Sequence, residues 1–214
     1  MSATALEAGD DLAVDGGTVT RTDRRVFAMM LASSLLSLLA SFVLSVDAVR
    51  LAADPDVALS CNINAAISCG AVAQAWQASL FGFPNAFLGM VTEPVVITIA
   101  VAGLAGVRFP RWFMLAAQGV YLLGLVFAYW LFSQSFFVIG ALCPWCLLVT
   151  ASTTTVFTSL LRFNIGANHL GLSPRAHERA MSLLRIGVDY AVVVVVFVAL
   201  AAAIALKYQH ELFG

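Results

Sequence analysis

Five long apolar runs divide the 214-residue chain, and each is close to the length of a membrane-spanning helix. A helix needs about 20 mostly apolar residues to cross the hydrocarbon layer of a bilayer. The runs cover roughly Val26 to Val46, Ala86 to Val107, Trp112 to Phe132, Val138 to Leu161 and Ile186 to Leu206. The pattern predicts an all-α integral membrane protein with five transmembrane helices.

The polar stretches outside the apolar runs indicate the structure of the two chain ends and of one connection between helices. Residues 1–25 are rich in small and polar residues and predict a disordered cytoplasmic tail, and residues 162–185 predict a cytoplasmic connection. The first apolar run has about span length and follows a long polar segment, so we interpret it as a retained helix and not as a cleaved signal peptide. The fifth helix and an outer carboxyl terminus fill residues 186–214.

The longest connection, residues 47–85, has a pattern of its own. It begins with charged residues and then becomes more apolar, with Val72, Trp76 and Leu80 near helical spacing. This spacing indicates a short helix at the membrane interface. An inert lid and a lid that closes a ligand cavity are both compatible with the pattern.

The composition is that of a protein in a lipid environment. Apolar residues make up 61% of the chain and charged residues only 11%, so little of it can form the surface of a soluble domain. The formal net charge of -1 gives no indication of nucleic-acid binding. The positions of the charges are more informative than their sum.

The basic residues predict the orientation, because connections rich in Lys and Arg stay on the cytoplasmic side of a membrane. With a cytoplasmic amino terminus, only Arg50 and Lys207 of the 11 basic residues lie outside. The inner ones are Arg21, Arg24, Arg25, Arg108, Arg111, Arg162, Arg175, Arg179 and Arg185. Residues 47–85 and a short turn at residues 133–137 are then extracytoplasmic.

All four cysteines fall on the outer side of this topology. Cys61 and Cys69 lie in the 47–85 connection, and Cys143 and Cys146 form a Cys-Pro-Trp-Cys motif at the outer end of the fourth helix. Disulfides persist outside the cytosol, whereas the cytosol keeps thiols reduced. The shared location is therefore compatible with disulfide chemistry at all four residues.

The Cys-Pro-Trp-Cys motif predicts two thiols with different tasks. Cys143 stands at the amino-terminal end of a helix, where free backbone N–H groups stabilise a thiolate, so it is the expected exchange thiol. Cys146 lies about 4.5 Å deeper along the axis, where it can meet an acceptor dissolved in the membrane. Pro144 is well tolerated in the first helical turn.

Two cysteine pairs on one side of a membrane suggest an electron relay, because a thiolate can attack a neighbouring disulfide and pass on two electrons. Structural disulfides are a second interpretation. A four-cysteine zinc site is a third, but an apolar helix is an unusual place for one, and we expect no metal. The three complete pairings of four cysteines stay open at this point.

Three segments in fixed order resemble the vitamin K epoxide reductase family. They are Cys61 to Cys69 with the sequence CNINAAISC, Phe81-Gly82-Phe83-Pro84-Asn85 ahead of Gly89, and Cys143-Pro144-Trp145-Cys146. The resemblance is strongest to the bacterial disulfide-forming branch, here without the thioredoxin-like domain fused to some members. It implies a four-helix bundle over residues 26–161 around a quinone pocket, capped by the outer loop.

The resemblance also implies roles for individual residues. Cys61 and Cys69 would form the shuttle pair that meets a reduced partner, with Cys61 attacked by the partner and Cys69 in exchange with Cys143. Cys146 would face the quinone. Asn85 would donate a hydrogen bond to a quinone carbonyl.

Two positions depart from the family pattern. Ala75 stands six residues after Cys69, where many relatives have Ser or Thr. Thr150 stands four residues after Cys146, where some relatives have Tyr. The hydroxyl of Thr150 is the expected substitute at the quinone.

The function implied by the resemblance is that of a quinone-dependent thiol-disulfide oxidoreductase of the bacterial cytoplasmic membrane, with menaquinone or ubiquinone as electron acceptor. The partner would be a separate extracytoplasmic thioredoxin-fold protein of the DsbA type. One alternative is an enzyme whose physiological substrate is the quinone or an epoxide itself. Another is a non-catalytic membrane protein with structural disulfides.

Glu93 is an acidic residue within the second apolar run, directly before Pro94. Carboxyl groups inside a membrane are costly and are often functional. A proton route for quinone reduction is one interpretation. A protonated or paired carboxyl at a proline kink is the other.

Overall fold

The computed structural model describes residues 21–209, and within this range the chain is built from helices. The α-helices are α1 (Arg21–Ala53), α2 (Cys69–Gln74), α3 (Ala86–Leu104), α4 (Arg111–Ser133), α5 (Pro144–Gly166), α6 (Pro174–Ile186) and α7 (Val188–Lys207). A 3-10 helix at Trp76–Ser79 follows α2, and a π-helical turn at Gln134–Ile139 prolongs α4. Five helices, α1, α3, α4, α5 and α7, are long and apolar enough to cross a membrane, which confirms the predicted fold class.

Four of the long helices, α1, α3, α4 and α5, pack into one bundle. α1 lies against α3 and α5, and α4 lies against α5. The core in the half remote from the cysteines consists of Val26, Phe27, Met30, Val96, Ile99, Ala100, Met114, Tyr121, Val156 and Leu160. The other half contains a second buried cluster of Leu51, Leu59, Cys61, Cys69, Val72, Ala141 and Cys143.

Small residues allow α1 and α3 to approach closely. Ser41 of α1 is buried, and a side chain at Gly89 of α3 would collide with it. A Cβ atom at Gly103 would lie 2.6 Å from three ring atoms of the buried Phe27. Close packing of this kind supplies much of the attraction between helices in lipid. The hydrophobic effect does not drive helices together there, because lipid tails are as apolar as the side chains.

The fifth long helix, α7, is attached to the bundle near its ends. At one end, the guanidinium of Arg162 donates to both carboxylate oxygens of Asp189, at 2.7 and 2.6 Å. At the other end, the ammonium of Lys207 donates to the backbone carbonyl oxygen of Phe136. No residue is buried in the most apolar stretch of α7 between these ends.

Tyr208, directly after α7, packs against the outer loop. It is buried in a cluster with Ala66, Phe136 and Leu142. Ala66 belongs to the segment between the two loop cysteines, and Leu142 precedes Cys143. The end of the fifth helix therefore contacts both segments that carry cysteines.

The first helix is longer than the sequence predicted. It begins at Arg21, within the expected tail, and continues to Ala53, although residues 47 onwards were expected to form a connection. The charges at Asp47 and Arg50 indicated a loop. The helix continues because Leu51 is buried beside Leu59 and Cys61, a tertiary contact that the charge pattern does not reveal. Residues 1–20 of the expected tail lie outside the described range.

The predictions around the 133–137 turn were wrong in detail. This segment is helical, because α4 continues through the π-helical turn to Ile139. Gly140 then ends the turn with a φ of 77°, a left-handed conformation that glycine adopts without strain. The fourth transmembrane helix consequently begins at Pro144 and not at Val138.

The connection at residues 162–185 contains a helix that the apolar runs did not predict. α6 begins with the pair Ser173-Pro174, a common helix start, and ends at Gly187 with a φ of 84°. Its charged side chains interrupt the apolar residues, and Leu184 is its one buried residue. An amphipathic pattern of this length does not have the continuous hydrophobicity of a membrane span.

We predict that Gly103→Ala destabilises the bundle by about 1–3 kcal/mol, because the added methyl group forces the Phe27 ring or the helix backbone to move. Thermal unfolding of the purified protein, followed by circular dichroism, should show a lower Tm. Gly119→Ala in α4 is the matched control, since a Cβ atom there meets nothing within 4 Å. Equal melting temperatures for Gly103→Ala and the parent would contradict the prediction.

Candidate active site

The loop that carries Cys61 and Cys69 is folded back on itself by a tight turn. The N–H groups of Ile63 and Asn64 donate to the carbonyl oxygen of Ile67, at 2.9 and 3.2 Å. The two cysteines meet and form a disulfide with their Cα atoms 5.6 Å apart. A four-thiolate zinc site is incompatible with this disulfide.

Asn62 ties the loop to the start of α2. Its side-chain oxygen accepts a hydrogen bond from the N–H of Gly70 at 2.9 Å and one from the hydroxyl of Ser68 at 3.2 Å. The Ser68 oxygen accepts from the N–H of Ala71 and so caps the helix. These hydrogen bonds fix Ser68 and Gly70, the residues on either side of Cys69, and so fix the position of Cys69 at the start of α2.

A short backbone pairing joins the loop to the segment before α5. The N–H of Ser68 donates to the carbonyl oxygen of Leu142 at 3.0 Å, and the N–H of Leu142 donates to the carbonyl oxygen of Ala66 at 2.8 Å. As a result, the sulfurs of Cys69 and Cys143 lie 3.2 Å apart although the residues are 74 positions apart in the chain. This distance suits thiol-disulfide exchange.

Cys143 has the surroundings of an exchange thiol. It caps the amino terminus of α5, and its sulfur accepts from the N–H of Cys146 at 3.4 Å. Hydrogen bonds from the Cys146 side chain and from the backbone N–H groups of Cys146 and Trp145 lower the pKa of the Cys143 thiol below its usual value and outweigh the opposing effect of burial. A thiolate at Cys143, beside the Cys61–Cys69 disulfide, is therefore easier to form than at an ordinary cysteine.

The four cysteines differ in their solvent exposure and in whether they line the cavity. Cys61 is 7% exposed and stands two residues before Ile63, whose side chain is 69% exposed, while Cys69 and Cys143 are 1% and 2% exposed. Cys69, Cys143 and Cys146 all line one cavity inside the bundle, and Cys61 does not. The disulfide thus joins Cys61, the slightly more exposed of the two and outside the cavity wall, to Cys69, which lines the cavity.

The cavity has a volume of about 660 Å³ and lies between the loop helices and the membrane helices. Its wall is mostly apolar, with contributions from residues such as Leu44, Val72, Phe127 and Leu131. A few polar residues are among those that line it, including Gln77, Asn85, Glu93, Tyr121 and Thr150. A large apolar cavity with few polar groups is typical of sites for apolar ligands that carry hydrogen-bonding oxygens.

The structure places both predicted quinone contacts at this cavity. The amide of Asn85 donates to the carbonyl oxygen of Gln77 at 2.6 Å and accepts from the N–H of Leu80 at 3.2 Å, so it also holds the 3-10 segment above the cavity. The hydroxyl of Thr150 donates to the carbonyl oxygen of Cys146 at 2.9 Å. Direct contact of either residue with a quinone stays a prediction.

Gln77 is a polar residue of the site that the sequence did not single out. Ala75, where many relatives have a hydroxyl, directly follows α2, and it is not among the cavity-lining residues. Gln77, two positions later, is 3% exposed, lines the cavity and donates to the side chain of Gln134 at 3.3 Å. Its one sequence signal is a polar side chain within the apolar part of the loop.

Aromatic side chains connect the loop to α4 beside the cavity, and Phe81 and Phe127 line it. Phe81 lies against Phe127, with ring centroids 5.6 Å apart, and Trp76 meets Trp130 edge to face at 6.3 Å. Both pairs join residues 69–83, which we call the lid, to α4. The predicted short helix is split into α2 and the 3-10 helix, and both contribute to the cavity wall. That the cavity takes a ligand stays a prediction.

Comparison with known protein families gives one match. The model described as the vitamin K epoxide reductase family matches residues 28–161, a range that contains all four cysteines and the cavity-lining residues. No curated protein matches the chain.

We predict that Cys146→Ala raises the pKa of the Cys143 thiol, because a donor to its thiolate is lost while burial remains. The pH titration of thiolate absorbance, with the Cys61–Cys69 disulfide intact, measures this change on a single thiol. Cys146→Ser is the matched control, since its hydroxyl can still donate to the sulfur. Identical titrations of the Ala and Ser variants would contradict the prediction.

Proposed function

Because the chain belongs to the vitamin K epoxide reductase family, and is thus a multi-pass membrane oxidoreductase, we propose that it oxidises a protein dithiol and reduces a membrane quinone. Electrons pass from a reduced extracytoplasmic protein to Cys61 and Cys69, then to Cys143 and Cys146, and finally to the quinone. The process supports disulfide formation in other proteins.

The proposal is carried by the contact between the Cys69 and Cys143 sulfurs at 3.2 Å. A mixed disulfide between these two residues connects the pairs in either direction, because thiol-disulfide exchange is reversible. When the loop pair is reduced and the helix pair is oxidised, the Cys69 thiolate attacks Cys143, and the Cys146 thiolate is released. Attack by Cys61 on Cys69 then restores the loop disulfide and leaves the helix pair reduced.

The different exposure of the loop sulfurs supports Cys61 as the point of attack by the partner. Cys61 does not line the cavity, and the neighbouring Ile63 presents an apolar side chain to solvent. Cys69 is occupied on its inner side by Cys143. A separate thioredoxin-fold protein of the DsbA type, with an exposed reactive thiol, is the class of partner that we propose.

The residues around the cavity fit a quinone. Apolar walls accommodate the ring and part of the isoprenoid chain. The amides of Gln77 and Asn85 each keep a second N–H that can position a carbonyl oxygen, and Thr150 can do so if its hydroxyl turns away from the Cys146 carbonyl. A bound quinone supplies a two-electron oxidant. Cys146 lines the same cavity, so the thiols that must be oxidised and their oxidant share one apolar compartment. Menaquinone and ubiquinone both meet this description.

The distribution of charge supports a cytoplasmic amino terminus and an extracytoplasmic redox site in a bacterial cytoplasmic membrane. Arg108 and Arg111 follow α3 at the end remote from the cysteines, and Arg162, Arg175 and Arg185 follow near the end of α5 and in α6. The cysteine end has Arg50 and Lys207. Positive residues are retained inside, so the cysteine end faces out.

A purely structural role explains the site less well. A disulfide that only staples the loop does not require two further thiols beside it, and Cys143 and Cys146 are free cysteines. A lowered thiol pKa and a cavity against Cys146 are features of reactivity and ligand binding.

We predict that Cys143→Ser and Cys146→Ser each lower quinone-dependent oxidation of a reduced thioredoxin-fold partner by more than about 100-fold, because a hydroxyl does not replace the thiolate as nucleophile and electron donor. Purified protein in lipid, reduced partner and a soluble quinone analogue provide the assay, followed by quinol formation. Ser60→Ala, at an exposed position beside Cys61, is the control. Undiminished activity in the cysteine variants would refute the proposed relay.

We predict that Cys69→Ser, mixed with the oxidised partner, accumulates a mixed disulfide between Cys61 and the partner. The Cys61 thiolate opens the partner disulfide, and the Cys69 thiol that would release the partner by forming the loop disulfide is absent. Non-reducing electrophoresis after acid quenching detects the complex. Cys61→Ser, which leaves in the loop only Cys69 with its sulfur against Cys143, should accumulate much less. The reverse result would assign partner attack to Cys69.

A further inference from the structure

Glu93 is a buried carboxyl group in the middle of the membrane-spanning helix α3. Its side chain is 4% exposed, and the residue lines the same cavity as Cys143 and Cys146. An ionisable group at this depth is costly unless its surroundings compensate for it. At Glu93 this compensation consists of hydrogen bonds from neighbouring side chains.

Both oxygens of Glu93 accept hydrogen bonds from neutral hydroxyl groups. Ser37 of α1 donates to Oε1 at 2.8 Å, and Tyr121 of α4 donates to Oε2 at 3.0 Å. The ion pair found within residues 21–209 joins Arg162 to Asp189 and does not involve Glu93. A carboxylate held by a cation is fixed in its charged form, whereas one between two hydroxyls can gain or lose a proton without leaving a buried cation unpaired.

Glu93 lies deeper in the bundle than the cysteines. α3 and α5 both begin at the cysteine end, and Glu93 follows Asn85 by eight residues, which corresponds to about 12 Å along a helix. Cys146 lies in the first turn of α5. The cavity extends from the thiols at its outer end to the carboxyl group further in.

Few groups at this cavity can exchange a proton. Among the described residues that line it, the titratable side chains are the cysteines, Tyr121 and Glu93. The Tyr121 hydroxyl is already used as a donor to Glu93. Glu93 is the carboxyl group of the set, and a carboxyl is a far stronger acid than a phenol.

We infer that Glu93 is a catalytic residue that transfers a proton to the quinone when Cys143 and Cys146 are oxidised. The inference rests on the proposed function and assigns a second reactive group to the same cavity. It also gives a use to the two hydroxyls of Ser37 and Tyr121, which stabilise the carboxylate that remains after the transfer.

The step balances in atoms and electrons. Formation of the Cys143–Cys146 disulfide removes two electrons and two protons from the dithiol, and the quinone gains two of each as it becomes the quinol. Neutral Glu93 gives one proton to a quinone oxygen. One of the protons lost by the thiols then returns to the Glu93 carboxylate, and the other thiol proton completes the quinol.

The test compares two half-reactions in Glu93→Gln, which keeps the size of the side chain and cannot transfer a proton. Quinone reduction by the pre-reduced protein should slow by roughly 100-fold, the usual contribution of a general acid. Quinone-independent exchange between reduced partner and the two cysteine pairs should stay within about twofold, since no proton transfer to quinone takes place in it. Quinone binding, measured by quenching of tryptophan fluorescence, should also be retained.

An infrared measurement gives a readout that does not depend on turnover. The difference spectrum that accompanies quinone reduction in the parent should contain a carboxyl band that shifts in D₂O and is absent from Glu93→Gln. Tyr121→Phe keeps Glu93 and should slow quinone reduction about 10-fold, because the remaining carboxylate loses one donor. Thr98→Val is the control on α3, since its hydroxyl donates to the Pro94 carbonyl away from the cavity.

The outcomes distinguish a failure of the proposed function from a failure of the role of Glu93. If the parent exchanges thiols with the partner but does not reduce quinones, the proposed function fails and the role of Glu93 fails with it. If the parent reduces quinone and Glu93→Gln does so at the same rate, only the role of Glu93 is refuted. Equal slowing of both half-reactions in Glu93→Gln would also refute it, because that result indicates a structural role.

Discussion

The redox geometry of this protein depends on two backbone hydrogen bonds between the cysteine loop and the residue before the Cys-Pro-Trp-Cys motif. Leu142 accepts from Ser68 and donates to Ala66, and these bonds bring the Cys69 sulfur to Cys143. The peptide groups that form them are in a loop and a helix start, where the helical ladder offers them no partner. The same need for backbone partners therefore shapes the local fold and sets the distance for electron transfer.

The bundle provides an apolar compartment in which thiols and an apolar oxidant can react. α1 and α3 pack closely through small residues, and the cavity lies between the bundle helices and the lid, where two aromatic pairs join the lid to α4. Polar groups at the wall come from all four helices of the bundle and from the lid. The membrane thus supplies the acceptor, and the loop supplies the contact with soluble partners.

The sequence predicted the features that rest on strong local energies. A membrane span needs about 20 mostly apolar residues, so the five apolar runs located all five spans. The motif Cys143-Pro144-Trp145-Cys146 located a helix start. The limits that depend on tertiary contacts were missed. Leu51 extends α1 through burial against the loop, and Gln77 enters the site only because the lid folds over the cavity. Tyr121 gave no signal, since one tyrosine in an apolar run is also a common core residue.

The fifth helix links the redox loop to the thickness of the bilayer. α7 has 20 residues, about 30 Å of helix, and is held by Asp189 at one end and by Lys207 and Tyr208 at the other. Its middle faces lipid, so a mismatch between its length and the hydrocarbon layer must be relieved by tilt or by strain at those ends. Because Tyr208 packs on Ala66 and Leu142, we expect the strain to reach the backbone pairing beside the cysteines. The rate of electron transfer between Cys69 and Cys143 then depends on the chain length of the surrounding lipid.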